Sequence, residues 1–408
     1  MDYPKLNNIE AFPIEYRGQK LICLRDPRNP SGKTLFVPYQ TLFIIKHFDG
    51  NHSILDIQKM YMEQFRQILF RDDVERLINQ FDDALLIQSE RYFNYKNKIE
   101  EEFNNSLFRD SSHAGLSYPS QKPELRDWLS KFFKQAEESD SKKEGLKKIH
   151  GLISPHIDFR RGGKSYALAY RELINKSALL TFFIFGTSHY ADVENPFILT
   201  RKTFKTPLGE VESDLETIEN LVNECNWDLF EGEIAHRPEH SIEFQVVFLQ
   251  YLFSDRKKIK IVPILCNSFS KFIQNESSPM KDEKISKFLN TISEIVNSDE
   301  NNALIIAGAD IAHVGLKFAD PEPVSDTMLR WIKQRDILTL SFAEKIDAEG
   351  FYKSVEEEKD KRKICGLSPI YALLSTINAV EGKLIDYDQA LEPDTGSVVS
   401  FASMGFYS

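Results

Sequence analysis

Five short segments of the chain carry side chains that can bind a metal ion or move a proton. They are SPHIDF (154–159), GTSHY (186–190), EHSIEFQ (239–245), GADIAHVG (308–315) and ICGLSP (364–369). His156, His189 and Cys365 offer two imidazoles and a thiolate, a set that suits zinc, iron or copper. With fewer than four protein donors, one position stays open to water or substrate, as catalytic metal sites require. Asp310 can orient an imidazole by a hydrogen bond from behind. His313, three residues on, can donate or accept a proton near neutral pH. Around EHSIEFQ, His240 is the residue expected in the pocket. Glu239 reads as a helix cap and Glu243 as an ordinary surface acid.

These residues are far apart in sequence, so the fold must bring them together. His156 follows the apolar run IHGLIS, His189 follows ALLTFFIFG, and Asp310 with His313 follows ALIIAG. Short apolar runs alternating with helical patterns read as buried parallel strands. Residues just past the carboxyl ends of such strands gather in one crevice. KKIKIVPILC is a further strand, and GSVVSFASMGF a last strand or strand pair. The expected architecture is α/β, an open and mostly parallel sheet with helices on both faces. Cys365 is placed by a different device. Ser368 and Pro369 read as a helix cap and first helical residue ahead of IYALLSTINAV. Cys365 then lies near the positive helix end with Lys361, Arg362 and Lys363 just before it, which favours the thiolate. Cys23, Cys225 and Cys266 sit in or beside apolar elements and read as inert thiols.

Bulk properties narrow the function classes. A chain of 408 residues has room for two or three cores. The net charge of −11 argues against a general nucleic-acid or anionic-membrane surface. No apolar run reaches the roughly 20 residues of a spanning helix. The start, MDYPKLNNIEAFPIEY, lacks a basic-then-apolar leader, and the four cysteines show no paired spacing. A cytoplasmic location is therefore expected. There is no internal repeat.

The first 95 residues read as a small winged-helix-like α+β domain. KLICLRD and KTLFVPY are strands flanking the turn PRNPSGK. TLFIIKHF is a helix stopped at Asp49-Gly50, Ser53 caps ILDIQKMYMEQF, DDVERLINQFDDAL is a third helix and LLIQSERYF a closing strand. Residues 96–105 form a charged connector, and 106–408 the α/β domain. The charged runs at 136–148 and 355–363 read as solvated faces.

On IIKHFDGNHSILDI (44–57) and INQFDDALLI, the N-terminal part resembles the PqqD-like family. That resemblance implies a module docking a peptide or protein along a strand edge and helix groove. From SSHAGLSYP (111–119) through the five segments above to SVVSFASMGF, residues 106–408 resemble the Memo family. This second resemblance implies a fold similar to the catalytic subunit of class III extradiol dioxygenases. It also implies metal binding at His156, His189 and Cys365, with Asp310, His313 and His240 in the same pocket. A radical S-adenosylmethionine protein and an AMMECR-type protein are the partners it suggests. The chain departs from the family's Pro-His-Ala-Gly-Tyr at Ile157, Asp158 and Phe159, and from its Ser-His-His at Tyr190. These changes are expected to alter the pocket wall. Three functions compete: a metal-dependent redox enzyme using iron or copper, a non-catalytic adaptor, and a zinc-dependent hydrolase.

Overall fold

In the computed structural model, which describes residues 1–26, 32–138, 148–174, 180–253, 259–298 and 303–408, the chain divides into two units. Part of the expected 27–33 turn and most of the charged 136–148 connection lie outside the described residues. The first unit gathers Met1–Asn105 with Gly315–Pro323 and Glu392–Ser397, so it is not one continuous stretch. It contains β1 (Glu10–Tyr16), β2 (Gln19–Arg25), β3 (Thr34–Val37), α1 (Thr41–Ile45), α2 (Ile54–Phe65), α3 (Arg71–Asp83) and α4 (Glu90–Asn105). The strands form an antiparallel sheet in the order β1-β2-β3. Ser53 caps α2 as its sequence suggests: its Oγ accepts from Asp56 N at 3.2 Å, and Asp56 Oδ2 accepts from Ser53 N at 3.0 Å. Leu24, Ile54, Ile57, Val74, Phe81 and Leu86 form the core.

Two elements here differ from expectation. The closing strand reduces to one bridge, Leu6 to Ile87, because Ser89 Oγ accepts from Tyr92 N at 3.0 Å and starts a helix. The 96–105 connector is the second half of that helix, α4, carrying Lys96–Glu100 and Lys98–Glu102 pairs one turn apart. β1 went unread because EAFPIEY is largely exposed and carries Pro13, which an edge strand tolerates.

The second unit begins with β4 (Phe108–Arg109), α5 (Lys122–Glu138), β5 (Ile149–Ser154), α6 (Phe159–Arg171) and β6 (Leu180–Thr187). There follow β7 (Phe197–Leu199), β8 (Thr203–Thr206), β9 (Gly209–Ser213), α7 (Leu215–Glu224), α8 (His240–Phe253) and β10 (Ile259–Cys266). Next come α9 (Ser270–Gln274), α10 (Glu283–Asn297), β11 (Ala303–Gly308) and β12 (Asp310–Gly315). The last elements are α11 (Asp326–Glu344), α12 (Ala348–Glu356), α13 (Leu367–Thr376), β13 (Glu381–Glu392) and β14 (Ser397–Tyr407). Eleven strands make one sheet in the order β12-β14-β5-β11-β6-β10-β9-β8-β4, with β13 beside β14 and β7 beside β10. Its centre, β5-β11-β6-β10-β9, is parallel throughout, while β14 joins β5 antiparallel and β8 joins β9 antiparallel. The sheet is thus mixed and mostly parallel.

Parallel strands covered on both faces need apolar side chains on both, which is why LTFFIFGT does not alternate. Phe182 and Ile184 pack with Leu129, Phe159, Tyr166 and Phe248 of α5, α6 and α8. Phe183 and Phe185 pack with Ile218, Phe288, Ile370 and Leu373 of α7, α10 and α13. Helices therefore cover both faces, and each buried Phe contributes about 1.5–3 kcal/mol. No described helix is long and apolar enough to cross a membrane.

Candidate metal centre

His156 and His189 each lie two residues beyond their strands, β5 and β6, and Asp310 lies two beyond β11. Because these strands are parallel neighbours, their carboxyl ends share one edge. Helix α8 begins over that edge, which glycine makes accessible. A Cβ at Gly186 would sit 2.6 Å from Ser241 Oγ, and one at Gly308 would sit 2.5 Å from Ser241 O. Ser241 Oγ donates to Thr187 O at 2.8 Å, and Gln245 Nε2 donates to Pro155 O at 2.8 Å, tying α8 to the ends of β6 and β5.

His156 is buried and held at two points. Its backbone N donates to Asp310 Oδ1 at 2.9 Å, and Nδ1 donates to Gly308 O at 3.0 Å. A carbonyl can only accept, so the proton is on Nδ1 and the lone pair on Nε2. Nε2 lies 3.2 Å from Cys365 Sγ. Cys365 is set by Gly366, whose N donates to Asp310 O at 3.1 Å, and by Thr187 Oγ1, which donates to Cys365 O at 3.1 Å. His189, the most exposed of the three, donates from N to Glu239 Oε2 at 2.9 Å and from Nδ1 to Oε1 at 3.0 Å. One donor atom from each of His156, His189 and Cys365 lies within 4.8 Å of the other two. Ligands bonded at about 2.0–2.3 Å around one tetrahedral ion stand about 3.5 Å apart. The three side chains fit such an ion, and a cavity of about 250 Å³ lined in part by Ser188, His189, Phe269, Lys363 and Cys365 opens beside them.

The remaining site residues gather around this set. The His240 ring centroid is 5.2 Å from that of His156 and 5.0 Å from that of His189, onto which it stacks. His313, on β12, is half-buried; its Nδ1 donates to Ile311 O at 3.3 Å and its N to Arg362 O at 2.7 Å. Burial pushes His240 and His313 down to about 4, with the neighbouring imidazoles adding to the shift and the carboxylates opposing it. His313 is therefore neutral at pH 7. It can accept a proton there, but it does not titrate near neutrality as its residue type alone suggested.

Further expectations are corrected. Burial, and then the Asp310 carboxylate, push the Cys365 thiol well above its ordinary value. Arg362, expected to favour the thiolate, is buried and turned to Asp336 and Glu358 instead. Helix α13 starts at Leu367 with Gly366 as cap, so Ser368 is its second residue rather than its cap. Glu243 is no surface acid: it is fully buried against Arg109 and also accepts from Tyr118 OH, Ser112 N (2.9 Å) and His113 N (3.0 Å). Arg109 donates as well to His236 O at 2.9 Å and Glu239 O at 2.6 Å. Burial works against the Glu243 charge, but Arg109 and His113 hold its carboxyl below the usual range. Of the residues expected to alter the pocket wall, Asp158 and Phe159 also serve the fold. Asp158 caps α6 through Arg160 N at 3.1 Å, and Phe159 packs in the core against Phe244 and Phe248.

Arg109, His113, Glu239 and Glu243 were missed as site residues. One signal was present: SIEFQVVFLQYLF has no polar face, so α8 must bury Glu243, and a buried carboxylate needs a cation. Nothing in the sequence singles out Arg109 as that cation.

The buried imidazoles are expected to make the protein acid-sensitive when no metal is bound. His236 is pushed down to about 3, again chiefly by burial. With an ordinary value of 6.5, each of these histidines binds fewer protons folded than unfolded across the interval between its two values. Their contribution to stability is complete above pH 6.5 and is lost as pH falls towards 4 for His240 and His313 and towards 3 for His236. The slope approaches about 1.4 kcal/mol per pH unit for each group. Urea midpoints measured with chelator are expected to drop steeply between pH 7 and 5; a constant or rising midpoint would contradict this burial.

Comparisons with known proteins place the chain in a family. The family model described as Memo-like protein matches residues 109–405. The chain is 29% identical over 404 residues to a protein of Aquifex aeolicus named MEMO1 family protein, covering 98% of this chain and 99% of that one. A MEMO1 family protein of Methanosarcina acetivorans is 27% identical over 301 residues, 72% of this chain and 98% of its own. One of Thermococcus onnurineus is 28% identical over 313 residues, 74% and 99% respectively. With the family match spanning the whole strand-end site and most of the chain, the protein belongs to the Memo family.

Proposed function

We propose that this Memo-family chain is a metal-dependent redox protein, with His156, His189 and Cys365 as the metal donors. The observation that carries the proposal is the convergence of two imidazoles and one thiol from three separate loops beside an open cavity. Imidazole and thiolate accommodate iron, copper or zinc, and the redox reading takes iron or copper. When bound, iron or copper would supply the one-electron change needed to engage dioxygen or another small oxidant. The chain's own residues do the rest. Gly308 O and Glu239 orient the donor imidazoles, and Asp310 holds the His156 backbone. Neutral His313 and His240 accept protons, and the α8 start packs on the ends of β6 and β11.

Within this proposal the first unit is a docking module of the PqqD-like kind. Support comes from β3, an edge strand with exposed Phe36, which can take an extended peptide as a further strand. A radical S-adenosylmethionine protein and an AMMECR-type protein are the partners in view, in the cytoplasm. Peptide capture undiminished by Leu35→Pro would remove the docking role.

Metal analysis of full-length protein purified without oxygen separates the reaction classes. Stoichiometric iron or copper is expected. Stoichiometric zinc would point to hydrolysis, and no metal from a replete medium would leave an adaptor.

A further inference from the structure

Glu239 is buried, and its carboxylate faces three backbone N–H groups and two imidazole Nδ1 atoms. Oε2 accepts from His189 N at 2.9 Å; Oε1 accepts from His240 N at 2.9 Å and Ser241 N at 3.0 Å. His189 Nδ1 lies 3.0 and 3.1 Å from the two oxygens, and His240 Nδ1 lies 3.2 Å from Oε1. Backbone N–H groups can only donate, so both oxygens must be acceptors, and each imidazole that binds them does so through an Nδ1 proton. Two carboxylate oxygens offer about four lone-pair sites. Three backbone donors and two Nδ1 protons are enough to occupy them all. His189, Glu239 and His240 lie close enough to resemble a second metal site, but no lone pair of Glu239 is left for an ion.

We propose that Glu239 is a positioning residue, a single carboxylate that locks His189 and His240 together in the Nδ1–H tautomer. The lone pair of each ring is then fixed on Nε2. At His189 this prepares the metal donor, and that part rests on the metal-site reading above. At His240 it has a separate consequence. The ring can meet a bound molecule only as an acceptor, so the group presented to it must be protic: a hydroxyl, a thiol or an amine. The α8 start and the loop after β6 are joined through the same carboxylate, so displacing it disturbs both rings at once.

The test is long-range ¹H–¹⁵N NMR of the metal-free, full-length chain labelled at histidine, with His189→Gln and His240→Gln used for assignment. Both rings are expected to give the Nδ1–H pattern. In Glu239→Gln the side-chain amide offers one acceptor instead of two, so at least one ring is expected to switch to Nε2–H. Zinc affinity is then expected to fall about 10–100-fold, the usual cost of removing such a partner. An Nε2–H pattern for either ring in the wild-type chain overturns the proposal even if the variant does not fold, as do unchanged patterns in a folded Glu239→Gln. A wild-type chain with both rings Nδ1–H and no metal affinity would instead overturn the metal reading and leave the clamp standing.

Discussion

Cys365→Ser is expected to weaken metal binding by more than about 100-fold, beyond the 10–100-fold typical of residues that only support a ligand. The thiol is the one soft donor of the set, it lies 3.2 Å from His156 Nε2, and a serine hydroxyl replaces it with a poor ligand for iron, copper or zinc. Cys225→Ser is the matched control. Cys225 closes α7 within the apolar core, its thiol pushed up to about 11 by burial, and it belongs to no donor group among the described residues. Competition against a chelator measures both variants. Because burial and Asp310 keep the Cys365 thiol protonated, binding should release a proton and strengthen as pH rises. Equal affinities for the two variants would remove Cys365 from the site.

Arg109→Met is expected to destabilise the fold by about 3–5 kcal/mol, the range for removing one partner of a buried ion pair. Both side chains of the Arg109–Glu243 pair are fully buried, so the substitution strands the Glu243 charge. It also takes hydrogen bonds from His236 O and Glu239 O. The site should loosen with the fold, since Glu239 and His240 lie in the segment Arg109 holds. Adding Glu243→Leu should recover much of the loss, because the uncompensated charge then disappears. Urea unfolding of both variants measures this; a single-variant loss below about 1 kcal/mol would show the pair to be dispensable.

These two variants also mark where the sequence was informative. The strand ends were legible because a parallel sheet buried on both faces writes itself as continuous apolar runs, and His156, His189 and Asp310 follow such runs directly. Cys365 was legible from its place before a helix, although its thiol is governed by burial rather than by that helix. The supporting shell was not legible. Arg109 sits in a two-residue strand, and its partner Glu243 lies 134 residues away on a different element. Such a pairing leaves no local period to read. The α4 helix was misread as strand and connector because its charged sequence has no strong apolar stripe, with Phe103 its one buried residue. β13 escaped notice for a similar reason, since it is nowhere fully buried.

The central claim is that two imidazoles and one thiolate share one ion. X-ray absorption of the full-length protein, loaded anaerobically with one equivalent of zinc, tests it most directly. One sulfur at about 2.3 Å and nitrogen neighbours at about 2.0–2.1 Å, two of them imidazoles, are the expected shell. A shell of nitrogen and oxygen alone, with no sulfur, would contradict it.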